Sequence, residues 1–470
     1  MLVSSAESQS PPVVVSADPY SWSTKRKAFV FVIGMIAVAN STLGSALPSG
    51  AVNFVAADFG VSNPQLLTLP VTCYLIGYIV GPIAFGPLSE TYGRRPVTLI
   101  TFAFYTVFTL ACALAPTFAA LVVFRLLAGI FASSPPSVTG GIYADIYSDP
   151  KIRGRAMAGY MAATTLGPTM GPLMSGYLSE KGWRWTFWVA LIVVGASWPF
   201  LLLLPETFGP VLRRKQGMAD TDVSVLAQLT RENWHHLFTK VLSRPIKMFC
   251  TESIVFFSCL HLSFIYAIFY LFFEAYPIVF EGIYGMTAGE RGLMFIPIAV
   301  GALLSFIIYL TYDRIYQRAQ MRDKHWVKVE EYRCLPLACI GGPLLSATIF
   351  WLAWTARPSV HCIVPAIAGV PFGIALLLIF MALINYLADA YRIFAASALA
   401  ASSCSRSLVS ALLPLATDPM YRHLGVNWAT SLLGFLSFAM AVIPFAFIRF
   451  GRHLRENSKF SQSLKTPQSG

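Results

Sequence analysis

The sequence predicts an all-α membrane protein with twelve transmembrane helices in two six-helix pseudo-repeats, and three observations carry that prediction. The first is composition: 56% of the residues are hydrophobic and 12% charged, where a soluble domain carries about 25% charged residues. Mean hydropathy is +0.63. The second is the recurrence of apolar runs long enough to cross ~30 Å of hydrocarbon, which takes ~20 helical residues. The third is the placement of the 34 Lys and Arg residues. With the amino terminus inside, the outer loops receive only Lys181, Arg184, Arg291, Arg357 and Arg422. Arg125 and Arg406 fall within spans, and all the others lie on the inner face, as the positive-inside rule requires.

Residues 1–27 are rich in Ser and Pro and read as a disordered cytoplasmic tail. No signal peptide is expected, because the first apolar run follows Lys25-Arg26-Lys27 and is too long for an h-region. The amino-terminal half, residues 28–204, holds spans at about 28–51, 69–85, 97–115, 118–143, 156–178 and 185–204. Residues 205–249 form a cytoplasmic linker. In it Val223, Leu226, Leu229, Trp234, Leu237, Phe238 and Val241 follow helical spacing, as in a helix lying on the inner membrane face or one packed on the span ends. The carboxy-terminal half, residues 250–449, repeats the pattern at about 251–273, 290–311, 334–355, 360–387, 394–416 and 427–448, before a cytoplasmic tail, 450–470. Asp313-Arg314 follows span 8 as Glu90 and Arg94 follow span 2. Parallel repeats of this kind place a substrate site between the halves near the midplane.

The net charge of +12 is explained by this topology, so no nucleic-acid partner is required. The eight cysteines stand singly without a CxxC, and the seven histidines form no HxxH or HxxxH pair. Neither a disulfide framework, a metal site nor a cofactor is therefore expected. GxxxxGK[ST] is absent and no nucleophile–base pair stands out, so the expectation is a protein that is not an enzyme.

A few residues break the apolar pattern. Gly86-Pro87-Leu88-Ser89-Glu90-Thr91-Tyr92-Gly93-Arg94-Arg95-Pro96 is a charged, turn-forming stretch between two long apolar runs. Arg125 and Arg406 lie within spans, where a charge costs roughly 2.5–3.5 kcal/mol and so seeks a cavity or a partner. For Arg125, snorkelling to the outer interface is the alternative; Arg406, deeper and on one face with Ser403 and Ser410, lacks that exit. Gly167, Gly171 and Ser175 recur every fourth residue, a face that lets another helix approach closely, while Pro168 and Pro172 favour a bend. Glu274 shares a face with Tyr266 and Tyr270, as a pathway carboxyl or an outer-rim residue. Asn40 and Asn385 are candidates for the cavity wall or for helix–helix contacts.

Gly86-x-Leu88-Ser89-Glu90-x-x-Gly93-Arg94-Arg95 resembles the loop 2–3 motif of the major facilitator superfamily. Arg125-Leu-Leu-Ala-Gly129 resembles its span 4 motif. Gly167-Pro168-Thr-Met-Gly171-Pro172-Leu-Met-Ser175-Gly176 is similar to the span 5 motif of its drug:proton antiporters. Gly182-Trp183-Arg184-Trp185, Leu204-Pro205-Glu206-Thr207, Phe273-Glu274-Ala275-Tyr276-Pro277 and Asn385-Tyr386-Leu387-Ala388-Asp389 resemble the fungal twelve-span branch. Glu90 stands where many relatives have Asp, and Ser175 replaces a glycine. The resemblance implies the major facilitator fold and proton-coupled efflux of a drug, polyamine or fungal secondary metabolite by alternating access. A monomer in the plasma membrane with both termini cytoplasmic follows, its partners being lipid, a small organic substrate and protons. It makes Gly86, Glu90, Gly93, Arg94 and Arg95 a conformational latch, and Arg125 and Glu274 the proton-coupling pair. Gly167, Pro168, Gly171, Pro172 and Gly176 become the antiporter motif, and Asn40, Tyr266, Tyr270, Asn385 and Arg406 the cavity. A nutrient-importing proton symporter or facilitator, or a non-transporting nutrient sensor, shares the fold and stays open at this point.

Overall fold

The computed structural model describes residues 19–215, 243–391 and 395–456. The amphipathic helix expected from Val223 to Val241 lies outside the described residues. The described chain folds into long helices: α1 (Thr24–Ala46), α2 (Leu69–Tyr92), α3 (Arg94–Ala113), α4 (Phe118–Ile146), α5 (Pro150–Ser179) and α6 (Arg184–Leu202). The second set is α7 (Ser253–Glu281), α8 (Ala288–Met321), α9 (Leu335–Thr355), α10 (Ile363–Tyr391), α11 (Ala395–Leu412) and α12 (Thr417–Glu456). Ten stretches are long and apolar enough to cross a membrane, the last of which, Ser397–Glu456, takes in most of α11 and all of α12. Helix α5, diluted by Gly, Pro and Thr, is not among the ten, yet it runs unbroken through Pro168 and Pro172.

Local chemistry sets the helix ends. Ser23 and Thr117 accept backbone N–H bonds at the starts of α1 and α4, and Thr287 with Glu290 forms a capping box at the start of α8. Gly93, at φ 104°, lets the chain reverse between α2 and α3, a conformation that a side chain would oppose. α1 tightens into a 3-10 turn over Leu47–Gly50, because Pro48 offers no N–H to continue the α-helical ladder. α12 begins earlier than the predicted span, with an extra arm ahead of a break at Gly425.

Helices α7 and α10 are the most deeply buried, whereas α3, α6, α8 and α12 turn Ile100, Val107, Ile192, Ile307, Phe438 and Val442 outward. Apolar faces that broad suit contact with lipid rather than water. α5 packs on α8 and α2 packs on α11. Adding six to each helix number exchanges these two contacts, so the halves meet as the predicted repeats should. Both described chain ends lie at one end of the bundle, called here the terminal end; the other is the distal end.

Candidate functional site

A cavity lies between the halves, walled by residues from α1, α2, α4, α5, α7, α10 and α11. Tyr78, Tyr160, Tyr266, Phe380, Ser403 and Arg406 line it. The Arg406 guanidinium carbon sits 4.9 Å from the Tyr266 ring centre and 5.3 Å from that of Phe380. Its Nη2 donates to Ser403 Oγ at 3.4 Å, while Nε is buried without a hydrogen-bond partner. Among the described residues no carboxylate lies within ion-pair distance of it. Tyr270, one turn above Tyr266, is fully buried and shares a 2.7 Å hydrogen bond with Ser45 of α1, joining the two halves on the distal side of the cavity. Asn40 and Asn385 are not among the lining residues. Asn40 instead donates to Ile36 O and to Ser197 Oγ of α6, both at 2.8 Å, which is helix–helix contact within one half.

The distal end is closed by small residues. A Cβ placed on Gly167 would strike Thr42, and one on Gly171 would strike Ala46, so this face of α5 lies directly on α1. Gly50 N donates to Ser175 Oγ at 3.0 Å, a use for the hydroxyl that stands where the resembled motif has glycine. Gly176 touches the backbone of Ala288, and Gly292 lies on Pro172 and Leu173, which brings the two halves into backbone contact. Around this seam Arg291 pairs with Glu281 at 2.5 Å and reaches Gly50 O at 3.4 Å, and Asn53 donates to Glu281 at 3.0 Å. Arg291 is therefore a buried seam residue and not the loop residue the sequence suggested, because the α8 capping box starts the helix just before it. Glu274 is partly buried one turn beyond Tyr270; Arg291 and Asp418 are the charges that act on it.

Arg125 is buried and points inward, so it does not snorkel. It donates to Pro70 O at 2.9 Å, Gly44 O at 2.8 Å and Ser45 O at 3.1 Å, with its guanidinium 4.2 Å from the Tyr74 ring centre. Gly44 O would normally accept from residue 48, which is proline; Arg125 supplies the missing donor and places positive charge at a helix carboxy terminus. Among the described residues it meets no carboxylate.

The Major Facilitator Superfamily model matches residues 30–414. The chain belongs to that superfamily. It is 38% identical over 93% of its length to "Efflux pump FUBT" of Fusarium oxysporum, covering 74% of that protein. It is 36% identical to "MFS-type transporter traF" of Penicillium crustosum, over 95% of this chain and 92% of that one. The "Ascochitine biosynthesis cluster MFS transporter" of Didymella fabae is 37% identical, over 90% and 83% of the respective chains. Among solved structures, a partially occluded inward-open form of the xylose transporter XylE from E. coli superposes with TM-score 0.67. At 15% identity over 90% of this chain and 98% of that one, that likeness extends to the fold alone.

The superfamily's loop 2–3 is densely bonded at the terminal end. Arg94 is buried, donating to Asp145 at 3.1 Å and to Ser89 Oγ at 2.7 Å, with Glu90 at 3.6 Å. Arg95 donates to Leu202 O at 3.0 Å. Glu206 accepts from the first backbone N–H groups of α3, Arg94 N at 2.8 Å and Arg95 N at 3.2 Å. A carboxylate there suits the helix dipole. A side chain at Gly93 would collide with that carboxylate, and Gly86 has open space around it. The second half repeats the arrangement with Arg333 on Asp389 at 3.2 Å and Arg455 on Glu331 at 2.5 Å. Across the halves Arg155 pairs with Asp313 at 3.1 Å. Glu90 faces outward, with Arg94 its partner among the described residues.

Sequence reasoning missed Ser45, Asn53, Asp145, Glu281 and the pairing of Arg155 with Asp313. Asp145 at the end of α4 corresponds to Asp389 at the end of α10, a repeat visible in the sequence once the halves are aligned by their spans.

Proposed function

We propose that this chain is a proton-coupled exporter of small organic molecules that works by alternating access. The observation that carries this reading is the cavity between the halves, closed distally by the backbone contact of α5 with α8. Its relatives' names, efflux pump and biosynthesis-cluster transporter, give the direction and the class of cargo. The segregation of basic residues supports a terminal end that faces the cytoplasm, and the resemblance to fungal antiporters supports a monomer in the plasma membrane.

In this reading Glu274 takes up the proton, close to the seam that must part when the cavity turns outward. Arg125 takes part through Ser45: its guanidinium holds the Ser45 carbonyl while the Ser45 hydroxyl pairs with Tyr270, one turn from Glu274. Loop 2–3 sets which face is open, with Glu90 free to engage the other half when the terminal end closes. It does not select the cargo. The test is efflux from preloaded cells, with and without the proton gradient. Export that collapses with the gradient supports the proposal, and gradient-driven accumulation overturns it in favour of import.

A further inference from the structure

We propose that Arg406, Tyr266 and Phe380 form a subsite for a flat, organic monoanion, so that the cargo is an amphipathic acid carried as its carboxylate or sulfonate. The inference rests on the transport reading above and adds to it the chemical class of the substrate.

The argument is one of unused donors. A guanidinium carries five N–H groups. At Arg406 one hydroxyl, Ser403 Oγ, accepts a long bond of 3.4 Å, and Nε is buried without an acceptor. Arg125 meets the same need with three carbonyls from its own half. Arg406 is half-buried rather than fully buried, and has no such neighbours to compensate its charge. Three other hydroxyls of the wall do not compete for an anion. Tyr160 donates to Pro136 O, and Ser137 and Thr164 donate to carbonyls of their own helices, so these hydroxyls turn acceptors towards the cavity. The cavity thus offers one cationic donor group and no lining carboxylate.

The rings define the rest of the ligand. Tyr266 and Phe380 lie 5.8 Å apart, each beside the guanidinium. Cation–π attraction to the rings uses none of the guanidinium's N–H groups, so its donors remain for an oxyanion. The rings also give an aromatic or otherwise flat apolar body a surface next to the charge. A dianion would leave its second charge unpaired among acceptor oxygens, and a cation would face Arg406 directly. Both are disfavoured.

The experiment uses the full chain in liposomes with three probes of one shape: naphthalene-2-sulfonate, the neutral naphthalene-2-sulfonamide and 2-naphthylmethylammonium. Binding is read by competition and direction by flux. The wild type should bind the sulfonate at least about ten-fold more tightly than the sulfonamide, and the ammonium least. Arg406→Gln should cost the sulfonate about ten- to a hundred-fold, the range of a charged hydrogen-bonded contact, with Arg406→Lys in between. Phe380→Leu, which keeps the charge, should weaken the two flat probes together. Equal binding of sulfonate and sulfonamide by the wild type, no detectable sulfonate binding, or an unaltered preference in Arg406→Gln would each overturn the subsite. Sulfonate that binds through Arg406 but moves only inward would sink the export reading and leave the subsite standing.

Discussion

Arg125 and Arg406 are both guanidinium groups within the bundle, and their surroundings are opposite. Arg125 is enclosed by carbonyls of α1 and the start of α2, one of them left open by Pro48. Arg406 stands against two rings on a cavity wall with one weak acceptor. The same residue type is a structural clasp in the first case and an open coordination position in the second. The difference lies in the number of acceptors within reach, and in burial, which is complete for Arg125 and partial for Arg406.

The largest expected effect separates the two on stability. Arg125→Gln takes a charged donor from three carbonyls, of which Gly44 O lacks its helical donor because residue 48 is proline, at a cost of about 1–3 kcal/mol for each group left unpaired. It should sharply lower the yield of folded protein and the melting temperature in detergent. Arg406→Gln removes a poorly satisfied charge, and its melting temperature should equal or exceed that of the wild type. Equal melting of the two variants would break the comparison.

Next in size is coupling. Glu274→Gln should leave substrate exchange across a liposome intact while transport stops responding to an imposed pH gradient; a preserved response would move the proton site elsewhere. Gly176→Val is a smaller change of a different kind. Its side chain would press on the Ala288 backbone at a cost of about 1–3 kcal/mol. It should bias the protein towards an open distal end, seen as labelling of a cavity cysteine by an impermeant reagent. The smallest effects belong to the exposed charges. Glu90→Ala and Arg155→Ala each remove a contact worth about 0.2–1 kcal/mol. They should slow the transport of all cargoes alike, and loss of one cargo alone would show that loop 2–3 takes part in selection.

The sequence carried the architecture well because lipid imposes a length and a composition on each span, and both can be read locally. Arg406 and Tyr266 were legible for the same reason: a charge and a polar ring deep in apolar runs need a cavity. The small-residue face of α5 was legible from spacing, and both its target helix and its contact with α8 are now visible. What could not be read was pairing across the chain. The acceptors of Arg125 are backbone carbonyls, which carry no residue signature. Glu206 caps a helix that begins 112 residues earlier. From sequence Asn40 stays open between the cavity wall and a helix–helix contact, because its partner, Ser197, sits on a helix whose rotation no local pattern records. Arg291 looked like a loop charge until the capping box ahead of it set the start of the helix.

The distal seam has an energetic consequence. Among the described residues the polar ties between the halves at this end include Ser45 with Tyr270, Asn53 with Glu281, Arg291 with Gly50 O and Thr72 with Ala411 O. Each such bond is worth roughly 0.5–1.5 kcal/mol net, or up to about 3 where a charge takes part. Glycine-lined backbone contact adds little interlocking that must be undone. Moving one elementary charge across 100 mV yields about 2.3 kcal/mol. Breaking one or two of these ties thus takes work comparable to the energy of one elementary charge crossing such a field.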